Sequence, residues 1–259
     1  MCMMIRDKYI DPLTDFGFKR IFGTEENKHF LISFLNDLLT LDYEIVEIEY
    51  RNLEKLGFNS IDRRAIFDVY CTDSQDNHFV VELQRTPQHY FKDRSVYYTT
   101  FPIQEQSKKG LWDYQLKKVF FIGLLDFKMD DSPDYLTEVK LVNTRSKEVF
   151  FENLVYYYIE LPKFTKYETE LSSHLDYWLY YLRHSANSQS IPKAFEDDKI
   201  IKEAFETAEF LALPPKKRFH YQHELKIRLD NHNAAVYAKE LAEKLKYWRY
   251  KRARLREKR

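Results

Sequence analysis

Residues 67–84 read FDVYCTDSQDNHFVVELQ, and this stretch places an acidic residue inside each of two apolar runs. Asp68 is the acid of the first run and Glu82 is the acid of the second, with Gln84 two positions further on. Burying a bare carboxylate costs several kcal/mol unless hydrogen bonds or a counter-charge compensate for the lost water. Two acids on neighbouring strands therefore require a compensating hydrogen-bond donor or positive charge, and the apolar residues next to them in the sequence do not supply one.

The two apolar runs predict a β-hairpin. Residues 65–71 and 78–84 are rich in β-branched and aromatic side chains, and the polar cluster TDSQDN at 72–77 between them is typical of a tight turn. Side chains two positions apart in a strand point to the same face, so Glu82 and Gln84 share one face of the second strand.

Three oxygen-bearing side chains are expected to converge at one end of this hairpin. Asp68, Glu82 and Gln84 are oxygen donors of the type that Mg²⁺ or Mn²⁺ binds. A divalent cation would also compensate for the desolvation of the two carboxylates. The hairpin therefore predicts a Mg²⁺ (or Mn²⁺) cofactor held by Asp68 and Glu82.

The rest of the first two thirds of the chain alternates between helical and strand patterns, and from about residue 166 the pattern is helical only. The further predicted elements are a helix over 14–39 with a break near Gly23, strands over 43–50, 117–127, 135–143 and 149–161, and a helix over 90–110 that ends at Gly110 and is kinked or broken at Pro102. The strand at 117–127 is apolar throughout and should be buried on both faces. This order predicts a mixed α/β sheet with helices packed on it.

Composition and charge narrow the class of protein. The 259 residues are 44% hydrophobic and 17% aromatic, enough for a sizeable core, and contain only five glycines, which argues against a Gly-rich phosphate loop. The cysteines Cys2 and Cys71 form no metal or redox spacing. No run of about 18 apolar residues and no signal peptide is present, so we expect a cytoplasmic protein with no membrane partner.

The net charge is zero but unevenly distributed. Residues 239–259 contain ten Lys or Arg and three Glu, a net of +7, which leaves −7 on the rest of the chain. A basic tail of this kind either contacts phosphates or forms a solvated helix end, and the sequence leaves both interpretations open.

Four segments together resemble a known family. TDFGFKRIFG at 14–23, FDVYCTD at 67–73, VVELQ at 80–84 and the segment 91–127 are similar to the PD-(D/E)XK nuclease family transposases, the recombination-promoting nuclease relatives. The resemblance covers roughly residues 8–127.

The resemblance implies a fold and a domain organisation. The expected fold is a restriction-endonuclease-like mixed central sheet flanked by helices, with an αβββαβ core and an all-helical C-terminal extension. We expect the nuclease-like domain to span residues 1–163 and the helical extension, which ends in a basic helix, to span residues 164–259.

The resemblance also assigns roles to individual residues. Asp68 and Glu82 match the family's metal ligands, and Gln84 stands where the wider superfamily has a catalytic Lys. Asp15 and Lys19 match the acidic and basic positions of the first helix. Because a glutamine can orient a water molecule but cannot act as a strong base, a second base or a second metal is expected to assist Gln84.

Contacts to DNA are expected from two places. Arg94, in a motif that the family shares, would lie near the metal site, and Lys251, Arg252, Arg254 and Arg256 would bind phosphates from the basic tail.

Three functions remain in competition. The leading hypothesis is a Mg²⁺-dependent DNA endonuclease linked to transposition or recombination, for which double-strand cleavage would favour a homodimer. The alternative is a catalytically inactive nucleic-acid-binding protein that uses the same fold and the basic C-terminal helix. The third is a protein-interaction scaffold that uses the aromatic helices at 166–185. Cleavage preference and the number of metal ions are not encoded in any pattern that we identify.

Overall fold

The computed structural model describes residues 8–51, 67–107 and 112–256. In chain order the helices and strands are α1 (Asp15–Phe22), α2 (Lys28–Leu38), β1 (Ile48–Tyr50), β2 (Val69–Asp73), β3 (His78–Gln84), α3 (Phe91–Glu105), β4 (Val119–Leu125), β5 (Leu136–Val142), β6 (Val149–Glu160), α4 (His174–His184), α5 (Lys199–Thr207) and α6 (Pro215–Arg256).

The six strands form one mixed sheet in the order β1-β2-β3-β4-β6-β5. The pairs β1–β2, β2–β3 and β5–β6 are antiparallel, whereas β3–β4 and β4–β6 are parallel. A parallel pair needs a crossover connection, and α3 supplies it between β3 and β4. The predicted mixed α/β sheet with flanking helices is confirmed.

The hairpin predicted at 65–84 is present as β2 and β3. Its ladder runs from the pair Val69–Val81 to the pair Thr72–His78. The bounds of β3 agree with the prediction, while β2 begins later and ends later than predicted; residues 65 and 66 lie outside the described part of the chain. Pairing with β1 carries β2 on to Asp73.

The predicted break near Gly23 separates α1 from α2. At the start of α1 the Thr14 hydroxyl accepts a hydrogen bond from the Gly17 N–H at 2.9 Å, which satisfies one of the unpaired donors of the first turn. A side chain at Gly17 would place its Cβ 2.1 Å from the Asp11 carbonyl oxygen. Only glycine therefore permits the close approach that fixes the start of α1.

One face of the sheet packs against α3. Phe91 of α3 contacts Tyr158 of β6, and both belong to a buried aromatic cluster that includes Phe121 of β4. β4 is buried along its whole length, as the apolar run predicted. Pro102 lies inside α3, which continues to Glu105; the helix end predicted at Gly110 lies outside the described residues.

The chain divides into two compact units, one up to residue 212 and one from residue 213 onward. Within the first unit, α2, α4 and α5 pack together, and Trp178 of α4 is fully buried there against Phe30 and Phe34. The boundary predicted between 163 and 164 falls inside this unit, and its meaning as a domain division stays a prediction.

The second unit consists mainly of α6, which is 42 residues long. Its residues 226–248 are all exposed. Within the described ranges, no helix combines the length and the apolar character that crossing a bilayer requires.

Candidate active site

The two acids of the hairpin face each other across β2 and β3. Asp68 lies one position beyond the Val69–Val81 pair, so the register places it opposite Glu82. The Asp68 N–H donates to Glu82 Oε1 at 3.0 Å, and the Leu83 N–H donates to Asp68 Oδ2 at 2.8 Å. Each carboxylate is thus held by the backbone of the other strand.

Burial and mutual repulsion make this pair reluctant to ionise fully. Glu82 is only 5% exposed, and its desolvation, followed by the charge of Asp68, raises its pKa to about 8. Desolvation likewise raises the pKa of Asp68, against the opposing effects of the Leu83 N–H and of the charges of Lys19 and Arg94. Near neutral pH the pair therefore retains a proton unless a further positive charge approaches.

Gln84 is also buried, and its amide is engaged at both ends. Its Oε1 accepts a hydrogen bond from Arg94 Nη2, and its Nε2 donates to the Thr86 carbonyl at 2.9 Å. The other branch of the guanidinium, Arg94 Nη1, donates to Gln88 Oε1 at 2.6 Å. The side chains of Gln84 and Gln88 therefore hold the two terminal nitrogens of the Arg94 guanidinium in place.

Two aromatic rings lie next to the guanidinium of Arg94. Its guanidinium carbon lies 5.5 Å from the ring centroid of Phe91 and 5.5 Å from that of Tyr98, which is cation–π geometry on both sides. The pKa of Tyr98 is raised by burial and then by the charge of Glu82, which indicates that this ring lies close to the acidic pair. α3 thus supplies a fixed positive charge beside Glu82.

Helix α1 contributes the remaining predicted residues, Asp15 from its first turn and Lys19 from its last turn. Lys19 Nζ lies 2.7 Å from Asp15 Oδ1, one turn apart on the helix. The charge of Asp15 raises the pKa of Asp68, whereas the charge of Lys19 lowers the pKa of Asp68 and of Glu82. The structure therefore brings α1 to the same place as the hairpin and α3.

The predicted phosphate contacts of the basic tail lie in α6, in the second unit. Lys251 is exposed, and its Nζ lies 5.3 Å from the ring centroid of Trp248. Arg252, Arg254 and Arg256 belong to the last turns of the same helix. Their contact with DNA stays a prediction.

The donor set suits a small divalent cation that keeps water and substrate ligands. Among the described residues, no group of three or more His, Cys, Asp or Glu is arranged to hold a metal. Mg²⁺ needs only one or two carboxylates, since waters and a phosphate supply the rest. Asp68 Oδ1 and Glu82 Oε2 receive no hydrogen bond from the described part of the chain, so one oxygen of each acid is available for such an ion.

Sequence reasoning missed one member of this constellation. Gln88 is an exposed loop residue with no motif around it, yet it holds one branch of Arg94. Gln88 lies six residues before Arg94, and the two side chains meet because of the path that the turn between β3 and α3 takes. No sequence motif indicates that path.

Comparison with known proteins gives one match. A family model described as PD-(D/E)XK nuclease family transposase matches residues 12–238 of the 259. No curated protein and no solved structure matches the chain significantly. The family match covers the hairpin with its two acids, α1 and α3, and it extends into α6. The chain therefore belongs to the PD-(D/E)XK nuclease family transposases.

Proposed function

We propose that this protein is a divalent-cation-dependent endonuclease that hydrolyses phosphodiester bonds of DNA during transposition or recombination. The observation that carries the proposal is the pair of the buried Glu82 and the partly buried Asp68, whose pKa values are raised and which two cationic side chains, Lys19 and Arg94, approach. Strongly perturbed acids with specific charge partners are typical of functional sites. The family supports the link to transposition.

Asp68 and Glu82 would hold Mg²⁺ or Mn²⁺. When bound, such an ion polarises a phosphate oxygen and makes water a stronger nucleophile. The chain's own residues create the conditions for binding, because the raised pKa values mean that the acids gain more from a cation than exposed acids would. A phosphate approaching this acidic pair also meets the positive charges of Lys19 and Arg94, which offset the repulsion.

We propose that Gln84 acts as a positioning residue for Arg94. Both ends of its amide are engaged, with Arg94 and with the Thr86 carbonyl, so the side chain orients a guanidinium rather than a water molecule. A guanidinium fixed in this way can stabilise negative charge that develops on phosphate oxygens without reorganising. This assignment gives a role to a residue that cannot serve as a strong base.

We extend the proposal to the topology of the core, the helical extension and the oligomeric state. The element order, with two helices, three strands, α3 and then β4, supports a restriction-endonuclease-like αβββαβ core in residues 1–163. The helical extension over 164–259 would add phosphate contacts through Lys251 and its neighbours, and double-strand cleavage would use a homodimer in the cytoplasm.

One observation favours the alternative of an inactive DNA-binding protein. The residue at the superfamily's lysine position is Gln84, and its amide is already occupied. In that case the fold would persist, and the basic end of α6 would bind DNA electrostatically.

A nicking assay on supercoiled plasmid tests the proposal. Wild type should nick DNA with Mg²⁺ or Mn²⁺ and not with EDTA, and Asp68→Asn or Glu82→Gln should lose about 10²–10³-fold in rate. The matched control is Asp73→Asn, a buried acid on the same strand outside the site, which should retain its rate per folded molecule. Cleavage that persists in both site variants would overturn the proposal, and salt-dependent binding without any cleavage would favour the alternative.

A further inference from the structure

A cleft lies beside Arg94, because two of its lining residues, Gln88 and Phe91, contact that arginine. It has a volume of about 280 Å³ and lies between the loop that precedes α3 and the segment that follows β4. Its aromatic wall is formed by Tyr90, Phe91 and Phe127, and two lysines, Lys92 and Lys128, lie at its rim. None of the described residues that line it is acidic, so its charge differs in sign from that of the neighbouring site.

Tyr90 has a conformation that the core does not explain. Its side chain is 76% exposed, and its backbone lies in the left-handed region at φ 61°, which is unfavourable for a residue other than glycine or asparagine. Its side chain makes no capping hydrogen bond to α3. The next residue, Phe91, is the one that packs into the aromatic core. An exposed ring at a strained position is therefore presented to solvent beside the cleft.

Arg94 connects the cleft to Gln84, and its charge also acts on both acids of the pair. Gln88 lines the cleft and accepts a hydrogen bond from Arg94, and Arg94 donates to Gln84 on the same strand as Glu82. The guanidinium of Arg94 also lies over the ring of Phe91, another lining residue. Arg94 thus contacts residues of the cleft on one side and Gln84 on the other.

The size and chemistry of the cleft identify an occupant. Its volume is slightly below the range of about 300–1,000 Å³ that is usual for sites of drug-sized ligands, which suits one flat ring system rather than a base pair. Aromatic side chains stack on any nucleobase, and exposed lysines pair with backbone phosphates. A single base can be taken out of its stack and bound in a protein pocket, at a cost of a few kcal/mol that is least for single-stranded DNA.

We propose that this cleft holds one unstacked nucleobase of the DNA next to the scissile phosphate, stacked on the ring of Tyr90 with the adjoining phosphates on Lys92 and Lys128. The inference rests on the proposed nuclease function and adds to it a base-binding subsite, which would determine where along the strand the acidic pair is placed.

The test uses variants that distinguish the effect of the Tyr90 ring from the effect of its backbone conformation. Tyr90→Asn removes the ring but keeps a residue that tolerates the left-handed region, and Tyr90→Phe keeps the ring. Tyr167→Asn is the matched control, because Tyr167 is equally exposed, at 76%, and does not line the cleft. Affinity for a labelled single-stranded oligonucleotide is measured by fluorescence anisotropy in EDTA, so that DNA is bound and not cut.

Tyr90→Asn should bind roughly tenfold more weakly than wild type, while Tyr90→Phe and Tyr167→Asn stay within about twofold. A set of oligonucleotides with one abasic position each supplies the second readout. At one position the wild type should lose about the same factor, and there Tyr90→Asn should lose nothing further. Melting curves of each variant confirm that it is folded.

The outcomes distinguish this inference from the proposed function. If wild type binds DNA and Tyr90→Asn binds equally well, the base subsite is wrong and the nuclease proposal stands. A loss that is the same at every abasic position also overturns the subsite, because the ring would then act without a base. If wild type neither binds nor cleaves DNA, the proposed function fails, and this inference fails with it.

Discussion

Strand β2 has a carboxylate next to its start and another at its end, and the surroundings of the two differ: Asp73 is buried, whereas Asp68 is only partly buried. Asp73, which ends the strand, accepts hydrogen bonds from the Gln75 N–H at 2.9 Å, from the Asn77 N–H at 2.9 Å, and from the side chains of Asn77 and Tyr43. Asp68, which precedes the strand, has one backbone donor and a second carboxylate as its neighbour.

The number of hydrogen bonds that each carboxylate accepts separates an acid with a structural role from one that is available for function. The turn around Asp73 surrounds the charge with dipoles, so the acid stabilises the hairpin by itself. Asp68 and Glu82 each accept one backbone hydrogen bond, and desolvation and repulsion raise both pKa values. Glu160 offers a third case, since its buried carboxylate is paired with Lys163 at 2.8 Å. Of these three cases, the pair of Asp68 and Glu82 is the one that an external cation would complete.

The largest expected effect on stability is at Asp73. Asp73→Ala would leave the turn donors of Gln75 and Asn77 without their acceptor, and the free energy of unfolding should fall by about 3 kcal/mol. Urea denaturation at pH 7 measures this loss. A decrease below about 1 kcal/mol would mean that water replaces the carboxylate and that the two ends of β2 differ less than we infer.

In contrast to Asp73→Ala, Glu82→Gln should increase the free energy of unfolding. The folded protein keeps the Glu82 proton up to about pH 8, whereas the unfolded chain releases it near 4.5, so stability falls as pH rises from 4.5 to 8 and is constant above. The variant lacks this penalty, and at pH 8.5 in EDTA it should be more stable than wild type by about 2 kcal/mol, with a smaller difference at pH 5.

Urea denaturation at the two pH values checks this expectation. Glu160→Gln is the control, because it weakens a satisfied ion pair with Lys163 and should be destabilising at both. A Glu82→Gln protein that is less stable than wild type at pH 8.5 would contradict the view that this acid is under-compensated. Mg²⁺ should raise the melting temperature of wild type more than that of Glu82→Gln.

A smaller effect is expected at Arg94. Arg94→Lys keeps the charge beside Glu82 but cannot bond both Gln84 and Gln88, and under the nuclease proposal the nicking rate should fall about tenfold. Arg145→Lys, at an exposed arginine in the turn after β5, serves as the control. Equal rates for wild type and Arg94→Lys would show that charge alone suffices and that Gln84 has no positioning role.

The smallest effect should be at the exposed end of the site. The Lys19 and Asp15 side chains are 45% and 56% exposed, so their ion pair contributes little to stability. A double-mutant cycle with Lys19→Ala and Asp15→Ala should give a coupling energy below about 0.5 kcal/mol, decreasing with salt. A coupling above 1 kcal/mol would place this pair with the buried, structural acids instead.

Several features of the fold could be predicted because their causes are local. The β-branched and aromatic side chains of residues 78–84 and the polar turn before them predicted β3, and the apolar run at 117–127 predicted a fully buried β4. The strand predicted over 43–50 is shortened to β1, Ile48–Tyr50. The reason is tertiary, because the Asn36 side chain of α2 binds both backbone groups of Ile45 in place of a neighbouring strand.

Strand periodicity and turn chemistry act over a few residues, so the amino-acid sequence alone predicts a hairpin that carries Asp68 and Glu82, with Gln84 beside them. The resemblance to the family is also read from the sequence, and the family match confirms it. In contrast, the folded structure is needed to see that Arg94 bonds to Gln84 and Gln88, that α1 brings Lys19 to the pair, and that Tyr90 lies beside a cleft. These relations depend on how helices pack against the sheet and on how much water each carboxylate loses, and neither quantity is contained in a local pattern.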